Sequence, residues 1–449
     1  MGKYFGTDGF RGEANATLTP KHAYAVGRFL GWHYGARVGK SARILIGKDT
    51  RRSGYMLEYA LCAGVVSSGA DAYILHVITT PGVAYVTRTE GFDMGVMISA
   101  SHNPFYDNGI KLIERDGEKP DDGDTSLIEH YIDSYLSGVD ELPSAIREKL
   151  GKVVDFVAGR NRYVGYLISL ASHSPGELKI GLDCSNGAAW HIAPSVFGAL
   201  GAKTYVINDA PDGTNINRLC GSTHIDELRR LVCDNGLDVG FAYDGDADRC
   251  IAVDERGQVV DGDGIIYIFA KMMKEGGGLD GGRVVLTKMS NLGLMSALDK
   301  IGVAYELTDV GDRFVYERMK SGGYMLGGEQ SGHVILRKYA STGDGILTSV
   351  LLCEQMIEKK CALSKLSSPL EKFPQVTVNV PVCDKDAAAH DENLFLAAQN
   401  VRKTLGDSGR LLIRKSGTEP LIRVMVECKN ADKCAEYAEA VASTIRGRY

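Results

Sequence analysis

Four short stretches hold residue types that could do chemistry. The first, Met97 to Lys111, reads MISASHNPFYDNGIK. An apolar run from Met94 to Ile98 stops there at Ser99-Ala100-Ser101-His102-Asn103-Pro104. Asn103-Pro104 and Asp107-Asn108-Gly109 are turn sequences. The pattern predicts a buried strand that hands over to a rigid polar loop, offering hydroxyls and an imidazole at a strand end, where α/β proteins tend to place their chemistry. The same residue types also build ordinary loops, so the stretch is ambiguous by itself.

The second stretch is Asp244-Gly245-Asp246-Ala247-Asp248-Arg249, between a strand predicted over Val239–Tyr243 and another over Cys250–Val253. Three carboxylates at alternate positions of a tight turn can converge on one hard cation, and Mg²⁺ suits that donor set. A solvated acidic turn is the plainer reading, but three close carboxylates repel unless a cation or an arginine offsets them. An EF-hand would use Asp244, Asp246, Asp248 and Glu255; it fails because the sixth position is Arg249 rather than Gly and an apolar strand follows. The third stretch is Gly327-Gly328-Glu329-Gln330-Ser331-Gly332-His333. In an extended segment Glu329, Ser331 and His333 would share one face, suited to sugar hydroxyls or an amine; a glycine-rich hairpin with incidental polar groups is the alternative. The fourth is Arg414-Lys415-Ser416-Gly417-Thr418-Glu419-Pro420 with Arg423 beyond it. Its arginines, hydroxyls and glycine make an anion nest, or else a charged hairpin turn. It does not match the nucleotide P-loop.

Positioning four such loops needs several domains. At 449 residues, the chain is long enough for about two to four. A strand, polar loop, helix, glycine stop and second strand recur three times: Ala42–Gly47 to Ala72–Leu75, Leu178–Leu182 to Thr204–Ile207, and Val284–Leu286 to Val303–Leu307. That is the βαβ unit, which favours a parallel pair. Asp140–Gly159 reads as charged and largely helical without a clear strand, which puts the first joint near 153. The second falls in the strand-rich stretch Val239–Val260 and the third near Ser367–Pro374. Beyond it a strand over Gln375–Val380, a helix over Asp386–Leu405, strands over Arg410–Arg414 and Leu421–Glu427, and a helix over Asn430–Ile445 predict a smaller α+β domain.

Composition narrows the class. Apolar residues make up 44% and charged residues 24%, as in ordinary soluble proteins. The net charge of −6 argues against a nucleic-acid binder. No apolar run approaches the roughly 20 residues that span a bilayer. The N-terminus lacks a signal-peptide core. The ten cysteines form no C-x-x-C pair, which predicts reduced thiols in the cytosol.

A serine at a strand end, a carboxylate-bound cation, a polyol loop and a phosphate nest, each in a different predicted domain, suit phosphoryl transfer onto a small phosphosugar. With Gly6-Thr7-Asp8-Gly9-Phe10-Arg11-Gly12 added, the chain resembles the α-D-phosphohexomutase family from end to end. The resemblance implies three related α/β domains plus a C-terminal α+β domain around a central cleft, here 1–153, 154–253, 254–368 and 369–449. Within the family the chain is most similar to the bacterial branch that acts on glucosamine phosphates. Gly-Glu-Gln-Ser-Gly-His is that branch's sugar loop, where phosphomannomutase/phosphoglucomutase enzymes typically carry Met in place of Gln330, and Val310–Val315 is also similar to it.

The roles below are those the resemblance implies. Ser101 is phosphorylated, and its phosphate oxygen with Asp244, Asp246 and Asp248 holds Mg²⁺. Arg249 lies beside the transferring group, Lys111 assists proton transfer, and Arg11 and His102 support the serine phosphate. Glu329 and Ser331 grip sugar hydroxyls, with His333 near the reacting centre. Arg414, Ser416, Gly417, Thr418 and Arg423 hold the phosphate that is not reacting. Glucosamine 6-phosphate and glucosamine 1-phosphate interconvert through a glucosamine 1,6-bisphosphate that turns round in the site, feeding UDP-N-acetylglucosamine and cell-wall precursor synthesis. A homodimer is expected, and some bacterial relatives bind a diadenylate cyclase. The alternatives are a phosphomannomutase/phosphoglucomutase, a Mg²⁺-dependent phosphohydrolase passing the phosphoryl group to water, and a catalytically silent binding partner, against which the full set of charged site residues argues. Lys415 stands where the family often has Pro, Ala247 replaces a frequent Gly, Phe105 a frequent Tyr, and Asp309 is unexpected; none removes a catalytic group.

Overall fold

The computed structural model describes residues 2–6, 8–415 and 420–449. They fall into two compact units, Met1–Ser290 with Ile301–Pro369, and Asn291–Lys300 with Leu370–Tyr449. The first unit holds three sheets. The largest has seven strands, in the order Phe5–Gly6, Gly9–Glu13, Asp107–Glu114, Met94–Ile98, Arg43–Lys48, Asp71–Val77 and Val153–Asp155. The last four of these run parallel, and the remaining pairings are antiparallel. Met94, Val96, Met97 and Ile98 are all fully buried, which is why this strand reads as a continuous apolar run.

The second sheet orders Val259–Val260, Cys250–Asp254, Val239–Tyr243, Lys179–Asp183 and Lys203–Ile207, and the third Ala304–Thr308, Arg283–Thr287, Leu326–Gly328 and Val334–Leu336. Crossover helices join the parallel strands, as the βαβ reading predicts. Left-handed glycines follow the helices of the three repeats: Gly69 at φ 91°, Gly201 at φ 85° and Gly302 at φ 62°.

All three sheets share a further feature. The last parallel strand turns back into an antiparallel partner: Met94–Ile98 into Asp107–Glu114, Val239–Tyr243 into Cys250–Asp254, and Leu326–Gly328 into Val334–Leu336. The three turns are the serine loop, the aspartate loop and the Glu329–His333 turn. Each chemical loop therefore sits at the carboxyl end of the same strand of its sheet, the end where open α/β sheets bind ligands.

Two expectations are corrected. Asp140–Gly159 is not mainly helical: one short helical turn covers Arg147–Lys149, and Val153–Asp155 is a parallel edge strand against Ala72–Ile74. The buried Arg28 guanidinium fixes the start of this segment, donating to Leu142 O at 2.8 Å, Pro143 O at 3.2 Å and Asp140 Oδ2 at 2.9 Å. In the second unit, the helix expected over Asp386–Leu405 is two helices, Lys385–Ala389 and Glu392–Leu405. Asp391 leaves the helical path, and its carboxylate caps the second helix by accepting the Leu394 N–H at 2.9 Å. The unit's three-stranded antiparallel sheet orders Gln375–Pro381, Leu421–Cys428 and Gly409–Lys415, and its core includes Leu394, Ile422, Val424 and Val441.

Candidate active site

Ser101 is 1% exposed and has φ 52°, a left-handed backbone that serine rarely adopts. The conformation holds because the loop is bound from outside. Arg51, fully buried, donates from Nη2 to Ser101 O and Asn103 O at 2.8 Å each, and from Nη1 to Asp107 O at 3.0 Å and to Pro104 O. Asn217, from the second sheet's domain, donates to Ser101 O at 2.9 Å and Asn103 O at 3.1 Å. Asp49 pairs with the Arg51 Nε at 2.9 Å and accepts the Ser99 hydroxyl at 2.6 Å, while Ser99 Oγ accepts the Ser101 N–H at 3.0 Å.

The Ser101 hydroxyl points at the aspartate turn and donates to Asp244 Oδ2 at 2.6 Å. Asp244, Asp246 and Asp248 are buried, and each offers an oxygen within 4.8 Å of the others. Burial first, then Asp248 and Asp246, pushes the Asp244 carboxyl well above its usual range. Among the described residues, Asp246 Oδ1 and Asp248 Oδ1 are buried without a hydrogen-bond partner. An all-carboxylate donor set with oxygens left unsatisfied fits a hard divalent cation.

Cations flank the triad. Lys111 lies 2.8 Å from Asp246, 3.0 Å from Asp8 and 3.5 Å from Asp248. Burial opposes its charge, but Asp246, Asp8 and Asp248 outweigh it and hold the ammonium well above its ordinary range. Arg249 N–H donates to Asp244 Oδ1 at 3.2 Å. Arg11 pairs with Asp8 and reaches Asn103 Oδ1 at 3.4 Å. His102 Nδ1 is 3.3 Å from Ser101 Oγ; burial, then Arg249 and Arg11, lowers it to about 4, so the ring is neutral.

His333 is buried, with Nδ1 3.7 Å from Asp248 and Nε2 accepting the Gly343 N–H at 3.0 Å. Burial lowers its basicity, while Asp248, Asp312 and Glu329 raise it to about 9. The Gly343 N–H pulls the other way, because an accepting Nε2 leaves the proton on Nδ1 and the ring neutral. A cation held by Asp248 would offset the charge that raises the ring and so favour the neutral form.

The expected common face of Glu329, Ser331 and His333 does not exist. Glu329 N–H donates to His333 O at 3.0 Å and Gly332 N–H to Glu329 O at 3.1 Å, closing a tight turn with Gly332 at φ 92°. His333 points inward to the aspartates. Glu329 is half-buried and accepts the Gly311 N–H at 3.0 Å, and Ser331 is exposed. In the second unit Arg414 and Arg423 face each other across paired strands. Desolvation and then Arg423 lower Arg414, so an anion between them would relieve the repulsion. Ser416, Gly417 and Thr418 lie outside the described residues. Lys415 pairs with Asp386.

Sequence reasoning missed Arg51, Asn217, Asp8 and Lys119. Asp8 alone carried a signal, inside Gly6–Gly12. Burial would raise its carboxyl, but Lys111, Lys119 and Arg11 hold it well below its usual range.

Known proteins match this chain over nearly its whole length. Profiles described as phosphoglucomutase/phosphomannomutase alpha/beta/alpha domains I, II and III match residues 2–138, 161–257 and 261–373, and the C-terminal domain matches 378–444. A phosphoglucosamine mutase of Lachnospira eligens is 58% identical, covering 100% of this chain and 99% of that protein. One from Lachnoclostridium phytofermentans is 56% identical, covering 99% and 98%. The crystal structure of a phosphoglucomutase/phosphomannomutase family protein from Burkholderia thailandensis superposes with a TM-score of 0.80 at 21% identity, covering 99% of this chain and 98% of that one, which shows the shared fold.

Proposed function

We propose a phosphoglucosamine mutase from one premise: the chain belongs to the phosphoglucomutase/phosphomannomutase family. The observation that carries the chemistry is the Ser101 hydroxyl held 2.6 Å from a buried carboxylate triad. The full-length relatives named phosphoglucosamine mutase carry the choice of sugar.

Ser101 holds the phosphoryl group. Transfer breaks the Ser101 Oγ–P bond and forms a bond from phosphorus to O1 of glucosamine 6-phosphate, whose hydroxyl proton passes by way of Lys111 to the freed Ser101 oxygen. The 1,6-bisphosphate turns round and returns its 6-phosphoryl group to Ser101, leaving glucosamine 1-phosphate. Asp244, Asp246 and Asp248 with the serine phosphate would hold Mg²⁺, which supplies charge neutralisation at the transferring group. Arg249 stabilises charge on that group's oxygens. Lys111, cationic between its carboxylates, donates to the oxygen that Ser101 regains. Neutral His102 and Arg11 steady the serine phosphate. Glu329 and Ser331 take sugar hydroxyls, with His333 behind the aspartates. Arg414, Ser416, Gly417, Thr418 and Arg423 take the distal phosphate, which lets either end of the bisphosphate face Ser101. The domain limits at 153, 253 and 368 and a cytosolic location, which rest on the patterning of the chain and its cysteines, belong to the same proposal, as do a homodimer and a diadenylate cyclase contact, which rest on the resemblance. Among the described residues no helix is long and apolar enough to cross a membrane.

The test is a coupled assay with Mg²⁺ and a sugar bisphosphate, offering glucosamine, glucose and mannose phosphates at equal concentration. Glucosamine phosphate is expected to turn over fastest. If it is the poorest substrate the sugar assignment fails, and release of inorganic phosphate without sugar 1-phosphate replaces the mutase with a hydrolase.

A further inference from the structure

Lys119 has no part in the roles above, yet it is the middle of a continuous polar chain. Starting from Lys111, the links are Lys111 Nζ to Asp8 Oδ2 at 3.0 Å, Asp8 Oδ1 to Lys119 Nζ at 2.9 Å, and Lys119 Nζ to Asp312 Oδ2 at 2.6 Å. Asp312 opens the helix Asp312–Gly322, and the preceding Gly311 donates its N–H to Glu329 Oε1 at 3.0 Å. The chain therefore runs from the proton-transfer lysine to Asp312, and from there one peptide bond and the Gly311 N–H carry it to the sugar-gripping carboxylate. Its two ends belong to different sheets, and Lys119 is the crossing point. Two cavities of about 220 and 440 Å³ open beside it, and Asp8, Lys111, Lys119 and Arg313 line both.

The seam has other ties. Glu118 accepts from Tyr316 at 2.7 Å and from Lys320 at 2.5 Å, and Asp122 pairs with Arg313 at 2.7 Å. These hold the same helix but lead to neither Lys111 nor Glu329. Lys119 differs because one carboxylate it bridges contacts Lys111 and the other belongs to the residue next to Gly311, which bonds to Glu329. A charge-assisted bridge of this kind fixes geometry as well as adding energy.

We infer that Lys119 is a positioning residue that, through Asp8 and Asp312, sets the spacing between Lys111 and the sugar-binding Glu329. This rests on the mutase reading. A misplacement near 1 Å at a reacting centre costs about a hundredfold in rate. Removing the ammonium is therefore expected to slow the chemical step while leaving substrate affinity nearly intact.

The experiment measures kcat and KM for glucosamine 6-phosphate in the full chain with Mg²⁺ and bisphosphate, after melting curves confirm folding. Lys119→Met is expected to lower kcat between about tenfold and a hundredfold with KM within about threefold. Lys119→Arg should recover most of the loss. Asp312→Asn should lower kcat similarly, and the double variant should be no worse than either single one, as members of one chain behave. Lys320→Ala and Tyr316→Phe, which touch only the general seam, should stay within twofold of the unaltered protein. The inference is overturned if Lys119→Met keeps kcat within twofold, if a rise in KM carries the loss, if the seam variants lose as much, or if the two single losses multiply. Should Lys119→Met not fold, Asp312→Asn decides alone by the same kcat and KM criteria. No turnover by the unaltered chain would refute the mutase reading instead, and is seen before any variant is made.

Discussion

The serine loop and the Glu329–His333 turn occupy the same place in two sheets, between the last parallel strand and its antiparallel partner, yet they are held in opposite ways. The serine loop is gripped by side chains from elsewhere: Arg51 and Asn217 take its carbonyls, and Asp49 orients Ser99. Its own reactive group is almost fully buried. The Glu329–His333 turn is held by main chain, through its internal bonds and through Cys250 N–H to Gly332 O and Gly262 N–H to Gln330 O, each at 3.0 Å. That scheme leaves Glu329 and Ser331 partly open. On the proposed reading, a reacting oxygen needs one fixed position, whereas a loop that accepts a sugar in two orientations needs polar groups within reach of it: Ser331 is exposed, and only one Glu329 oxygen bonds to the Gly311 N–H.

The largest effect is expected from Ser101→Ala. Turnover should fall by about 10³-fold or more, and a phosphoryl mass increment should disappear from the intact protein. An increment that survives refutes Ser101 as the carrier. Next, Arg51→Met removes the fork and strands the buried Asp49 charge, which should lower stability by about 3–5 kcal/mol, read as a lower urea midpoint. An unchanged midpoint would show that the loop holds itself.

Asp183 sharpens the contrast. It makes the same turn in the second sheet, accepting the Ser185 N–H at 2.9 Å as Asp49 accepts the Arg51 N–H at 2.9 Å, but among the described residues no guanidinium bonds to it. Burial raises it to about 6. A carboxyl whose folded value lies above its unfolded value near 3.9 stabilises the fold at low pH and loses that contribution as pH rises through about 6. The stability gained by Asp183→Asn over the unaltered chain should therefore grow from pH 4 to 6, to at most about 2–3 kcal/mol, and then level off. A difference that is flat across that window sinks the account.

Asn217→Ala should cost about 1–2 kcal/mol, through two lost hydrogen bonds, and should lower kcat more than it raises KM. The smallest effect is expected on the open turn. Glu329→Gln keeps an acceptor for Gly311 N–H, so stability should stay within about 0.5 kcal/mol while KM rises severalfold; a large fall in melting temperature would mean that this turn too is held by its side chains.

Much of this was legible in the sequence because it is local. The βαβ repeats are periodic, and the three aspartates stand at alternate positions of one turn. What stayed hidden is long-range. Arg51 and Asn217 reach the serine loop across 50 and 116 positions, and neither bears a pattern that announces its partner. Val153–Asp155 is a three-residue edge strand with Val153 54% exposed, too short and too wet to alternate visibly. Asp391 looks like a helix-surface residue until its carboxylate is seen capping. The alternation of Glu329, Ser331 and His333 misled because Gly332 reverses the chain within it.

If Ser101 carries the phosphoryl group as proposed, its left-handed backbone is also a filter on which side chain can do so. A β-branched side chain pays a steric penalty at positive φ that serine partly escapes. Threonine carries the same hydroxyl and could in principle carry the same phosphate, but at this position its methyl group would drive the loop out of the conformation that Arg51 and Asn217 hold. On the proposed reading, the shape of the loop thus decides which alcohol can be the carrier before any substrate arrives.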